Sequence, residues 1–187
     1  MSFNFTNPSK FFAWIYSLIC PFYAKRFYRK LVEILQFESS KNLLDFGSGT
    51  GILAKKILKR LDPSNHLTCL DVSQAFINKT KKNLRKFENV DFVLGDIRNV
   101  KFPKTYFDKI FITWVIHHIP NEVREETLKK ITNCLNLNGS IYVIEYVSAP
   151  HGIQKDDLNK LFNDLGFLSH EIYLRKNTIL IEYNKSA

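Results

Sequence analysis

A chain of 187 residues with 45% hydrophobic and 24% charged residues has the make-up of one ordinary folded domain of fairly large size. Its three cysteines (Cys20, Cys69, Cys134) are scattered, odd in number and never at CxxC spacing, which argues against a disulfide framework and suits a reducing cytoplasm. The net charge of +9 reads first as a lysine-rich solvated surface, since the lysines pair on predicted helix faces, and second as an attraction for the phosphates of nucleic acid or anionic membrane.

In chain order, residues 11–20 predict a short helix ended by Pro21. They lack a small-x-small cleavage site and are too short to span a bilayer, so they are expected to stay in the mature protein. A second helix is expected from Pro21 to about residue 37, with Phe27, Leu31, Ile34 and Leu35 at helical spacing. Residues 42–46 predict a strand, followed by a glycine loop and a helix with Ile52, Leu53, Ile57, Leu58 and Leu61 on one side. A strand over 66–71 leads to Ser73, a predicted cap, and to a helix with Phe76, Thr80, Leu84 and Phe87 in one stripe. Strands follow at 90–94 and 107–114. Asn121 is then expected to cap a helix that turns Val123, Leu128, Ile131 and Leu135 inward. A fifth strand over 140–147 and a helix over 154–165, stopped by Gly166, complete the alternation. The runs 168–174 and 177–183 are separated only by Arg175 and Lys176, a link that permits an antiparallel hairpin and no parallel crossover. The pattern is α/β, a parallel sheet flanked by helices with one antiparallel strand at the end.

The strongest motif joins the first strand to the first core helix: Asp45, Phe46, Gly47, Ser48, Gly49, Thr50, Gly51. Glycines there allow a tight turn and close approach of a ligand to the backbone. A dinucleotide fingerprint would need its third glycine at position 52, which is Ile52, and no GxxxxGK[ST] loop is present. Asp45 at the loop mouth would repel a pyrophosphate but suits a ligand that carries an ammonium and a sulfonium.

These features, with Asp71 ending the second strand, Gly95-Asp96-Ile97 after the third, and residues 107–119 with Thr113, His117 and His118, resemble the class I S-adenosylmethionine-dependent methyltransferases, small-molecule branch. The likeness covers nearly all of residues 41–187. Leu135 to Ser140 resembles the family's turn before strand five, with Asn138 where proline is usual. The resemblance implies one domain: a doubly wound Rossmann-like sheet of seven strands in the order 3-2-1-4-5-7-6, strand 7 antiparallel, under an N-terminal helical lid formed by residues 1–40. It implies S-adenosylmethionine as cofactor and no metal. Asp45, Gly47, Ser48, Gly49, Thr50 and Gly51 would cradle it, Asp71 and Val72 would hold the ribose, Asp96 and Ile97 the adenine, and Thr113, Tyr16 and Tyr23 would approach it.

Methyl transfer is an in-line displacement that needs a general base only when the acceptor loses a proton. His117, His118, Glu145 and Tyr146 are the candidates, since each lies near the carboxyl end of a strand. Eight aromatics between Phe11 and Tyr28 suit a lid over an apolar acceptor, and the basic residues that follow allow peripheral membrane contact. The sequence thus points to methylation of a small-molecule or lipid-like acceptor, with RNA methylation or non-catalytic cofactor binding as alternatives.

Overall fold

The computed structural model describes residues 28, 29, 31–35, 37, 40–147, 152–175 and 177–186. The helix expected over 11–20, Tyr16, Tyr23 and all of the N-terminal lid before residue 28 lie outside the described residues. The chain falls into two compact units that divide after Asp96.

In the first unit, residues 31–34 are helical and the Leu35 amide bonds the Leu31 carbonyl at 3.0 Å. Leu31 and Leu35 are buried, but Ile34, expected on the same stripe, is 40% exposed, because Val32 takes the inward position instead. Strands β1 (Asn42–Phe46), β2 (His66–Asp71) and β3 (Val90–Leu94) run parallel, with Leu44 opposite Thr68 and Cys69 opposite Phe92. Leu43, Leu44 and Leu67 are fully buried, as unbroken apolar strands covered on both faces require. Helix α1 (Ile52–Leu58) buries Leu53, Ala54, Ile57 and Leu58. Helix α2 (Gln74–Leu84) buries Phe76, Ile77, Thr80 and Leu84, and the Ser73 hydroxyl caps it by accepting from the Phe76 amide at 3.4 Å.

The second unit holds β4 (Phe107–Thr113), a 3₁₀ turn (Ile116–His118), α3 (Asn121–Asn133), β5 (Leu135–Tyr146), α4 (Lys155–Asn163), β6 (Phe167–Arg175) and β7 (Thr178–Lys185). β4 and β5 are parallel; β7 is antiparallel to both β5 and β6. All seven strands belong to one sheet in the order β3-β2-β1-β4-β5-β7-β6, the order the resemblance implies.

Two local expectations are corrected. Pro120, not Asn121, occupies the cap of α3, since its extended backbone ends the preceding turn and Asn121 is already helical. β5 begins at Leu135, five residues before the expected start. Leu135 pairs with Phe107, and the register slips before Ser140 pairs with Lys109. Gly139 makes the slip possible: a Cβ there would lie 2.8 Å from the Leu135 side chain and 2.9 Å from the Asp108 carbonyl.

Candidate functional site: a glycine-loop cradle and a buried Glu–His pair

In the first unit, the loop after β1 is tied down through its own amides. Gly47 and Ser48 donate to the Leu70 carbonyl at 2.8 and 3.1 Å, and Gly51 donates to the Ser48 carbonyl at 2.9 Å. Gly49 donates to Asp71 Oδ2 at 2.8 Å, and the Ser73 amide donates to Oδ1 at 2.8 Å. Each Asp71 oxygen therefore accepts a full amide hydrogen bond, and the carboxylate keeps capacity for a further donor. Burial raises the Asp71 pKa, and the amides of Ser73, Gly49 and Val72 oppose the rise.

The three loop glycines all have positive φ, a conformation that disfavours any side chain. Two of them meet different surroundings. A Cβ on Gly49 (φ +55) would touch nothing within 4 Å, so this residue borders open space. A Cβ on Gly51 (φ +73) would lie 2.7 Å from Thr80 Cγ2, so this residue lets α2 approach the loop.

Asp45 is 1% exposed, and neither carboxylate oxygen has a hydrogen-bond partner of full geometry among the described residues. Burial first, and the charge of Asp71 second, push its pKa up to about 7, with the Ala54 amide opposing weakly. Ser48 Oγ is also buried without a hydrogen-bond partner among the described residues. Unmatched buried groups of this kind are costly unless a ligand satisfies them. Val72 and Leu94 follow or end β2 and β3 and expose apolar side chains, each 46% exposed. Asp96 is partly exposed, and Ile97, the first residue of the second unit, is buried.

In the second unit, Thr113 ends β4 at 9% exposure and Trp114 follows with φ +55, rare for a bulky residue. The Trp114 amide donates to the Ile144 carbonyl at 2.7 Å, and its ring stacks on Tyr146. Glu145, wholly buried in β5, holds the chain beyond this bend. Its Oε1 accepts the amides of Val115 at 2.9 Å and Ile116 at 2.6 Å, and its Oε2 lies 2.5 Å from His117 Nδ1. This contact assigns the Nδ1 proton to His117, and in the neutral ring the Nε2 lone pair is left for another donor. The His118 ring packs 3.8 Å from that of His117; loss of hydration first, and His117 second, push its pKa down to about 4. Among the described residues no cluster of His, Cys, Asp and Glu could hold a metal, and no helix is long and apolar enough to cross a membrane.

The methyltransferase domain family matches residues 43–139. The chain belongs to that family. The chain resembles a malonyl-[acyl-carrier protein] O-methyltransferase of Ilyobacter polytropus, 27% identical over 155 residues, 82% of this chain and 56% of the relative. It also resembles the ubiquinone/menaquinone biosynthesis C-methyltransferase UbiE of Rickettsia prowazekii, 28% identical over 123 residues, 63% of this chain and 49% of the relative. The chain spans about half the length of these curated relatives. Among solved structures, an S-adenosylmethionine-dependent methyltransferase from Aquifex aeolicus superposes with a TM-score of 0.73 at 14% identity, covering 83% of this chain and 88% of that one. The complex of DhpI with S-adenosylhomocysteine superposes at 0.74 and 15% identity, covering 91% and 89%.

S-adenosylmethionine is the cofactor of this family. The residues present fit it. The unmatched Asp45 carboxylate suits a cation, and the open side of Gly49 leaves room for the ligand. Sequence reasoning named Asp45, Asp71 and Gly49. It missed that Thr80 and Asn83 donate to the Gly49 and Thr50 carbonyls of the glycine loop. The hydroxyl of Thr80 inside an otherwise apolar helical stripe was the available signal.

Proposed function

We propose that this chain transfers a methyl group from S-adenosylmethionine to a small-molecule or lipid-like acceptor. The observation that carries the proposal is the pairing, at one loop, of a buried carboxylate without a full hydrogen bond and a glycine that borders open space. Asp45 receives the ammonium of the cofactor's amino-acid end, and Ser48 and Thr50 line the same turn. Asp71, through its remaining lone pairs, accepts the two ribose hydroxyls. Val72 packs on the ribose, and Asp96 and Ile97 take the adenine. When bound, the cofactor supplies a methyl group activated by its sulfonium. His117 takes a proton from acceptors that must lose one, with Glu145 fixing its ring and its tautomer. His118 stays neutral beside it at physiological pH. The free, buried thiols of Cys69 and Cys134 suit a cytoplasmic setting.

The acceptor classes named by the relatives set the assay: a malonyl thioester on acyl-carrier protein, and an unmethylated quinone precursor. The chain is incubated with methyl-labelled S-adenosylmethionine and each acceptor in turn. The expected result is label in an organic acceptor with equimolar S-adenosylhomocysteine. Tight cofactor binding with no turnover across such a panel would contradict the enzymatic assignment and leave a cofactor-binding protein.

A further inference from the structure

Two side chains of α2 reach across to the glycine loop and hold its carbonyls. Thr80 Oγ1 donates to the Gly49 carbonyl at 2.7 Å, and Asn83 Nδ2 donates to the Thr50 carbonyl at 2.9 Å. Both bonds link residues more than 30 positions apart in sequence. They therefore clamp the loop to a helix that belongs to neither of its flanking elements.

The clamp has a directional consequence. A trans peptide is planar, so its carbonyl and the following N–H point in opposite directions. Drawing the Gly49 carbonyl toward α2 turns the Thr50 amide away from it. Among the loop amides of residues 47–51, those of Gly47, Ser48, Gly49 and Gly51 are all satisfied within the protein. The Thr50 amide has no acceptor among the described residues, and it leaves the loop on the side opposite the clamp. Gly51 completes the arrangement, since a side chain there would run into Thr80 Cγ2 and push α2 away from the loop.

We propose that Thr80 and Asn83 are positioning residues for the cofactor: they lock the two central peptides of the glycine loop so that the Thr50 amide is presented to the ligand. The inference rests on the assignment of this loop to S-adenosylmethionine. It assigns to two residues of α2 a part of cofactor affinity that the loop sequence alone would be credited with. Neither residue touches the cofactor; each acts through the loop it holds.

The test compares Thr80→Val, which keeps the shape and removes the donor, with Thr80→Ser, which keeps the donor, in the full chain. Asn83→Ala removes the second bond at a less buried position and serves as well where Thr80→Val folds poorly. The readouts are the Kd for S-adenosylhomocysteine by calorimetry and the amide exchange of residues 47–51. Removing either bond should weaken binding by about threefold to tenfold, the span of a single net hydrogen bond, while Thr80→Ser stays within about twofold of the parent. Loop amides should exchange faster in Thr80→Val and Asn83→Ala, with β1 and β2 unchanged. Parental affinity in both donor-less variants would overturn the clamp while leaving the cofactor assignment intact. Failure of the parent chain itself to bind S-adenosylhomocysteine would instead overturn that assignment, and the clamp with it.

Discussion

Replacing Asp45 by Asn should stabilise the ligand-free protein while weakening cofactor binding, and the size of the first effect should depend on pH. The Asp45 pKa rises from an ordinary 3.8 to about 7 because the carboxylate is buried and faces Asp71. A folded-state pKa above the unfolded one means that ionisation favours unfolding. The fold therefore keeps its full stability below about pH 3.8 and loses part of it as pH climbs to about 7. A gap of roughly 3 pH units at 1.36 kcal/mol each gives on the order of 4 kcal/mol at pH 8. For a chain of this size that corresponds to a Tm difference on the order of 10 °C. Thermal unfolding of parent and Asp45→Asn, without ligand, at pH 4.5 and pH 8 is the assay. The variant's advantage should be small at the lower pH, about 1 kcal/mol, and reach its full size at the higher. The cofactor's ammonium must displace the proton, so affinity in the parent should fall by up to about tenfold per pH unit below 7. Equal Tm differences at both pH values would refute the account of Asp45.

The glycines of the loop should separate by role. Gly49→Ala should cost about 1 kcal/mol of stability from its positive φ and much more in cofactor affinity, whereas Gly51→Ala should cost about 2–3 kcal/mol of stability through the collision with Thr80; urea unfolding and calorimetry distinguish them. Asp71→Ala should weaken S-adenosylhomocysteine binding by about 1.5–3 kcal/mol, and an unchanged Kd would mean the ribose is held elsewhere. Glu145→Gln should destabilise the protein by about 2–4 kcal/mol in urea unfolding, because an amide cannot accept from two backbone N–H groups and the His117 ring at once. The His118 ring should titrate well below the ordinary histidine range, so its proton chemical shift should stay flat between pH 5.5 and 8; a midpoint near 6.5 would contradict its packing against His117.

The sheet was legible because its strands are apolar runs of strand length bounded by turn residues, and because Arg175 and Lys176 leave no room for a crossover. The cap at Ser73 was legible from local chemistry alone. The start of β5 was not. Leu135 to Gly139 reads as a turn from its asparagines and glycine, and only the pairing of Leu135 with Phe107 makes it strand. Asp45 and Asp71 stand out in sequence by their place at strand ends, but the difference between them is tertiary. One carboxylate is satisfied by loop amides and the other is not. The role of Glu145 was legible only as a candidate. Its three hydrogen bonds join β5 to residues some 30 positions earlier, which no local pattern encodes. Gly51 and Thr80 likewise meet only when α2 packs on the loop.

The central claim is that the glycine loop, with Asp45 and Asp71, is a site for S-adenosylmethionine, and its most direct test is calorimetric titration of the folded chain with S-adenosylhomocysteine at pH 8. The account predicts saturable one-to-one binding that disappears in Gly49→Leu, with the circular dichroism of the parent retained and no comparable binding of NAD. Undiminished affinity in a folded Gly49→Leu protein, or no binding by the folded parent, would contradict it.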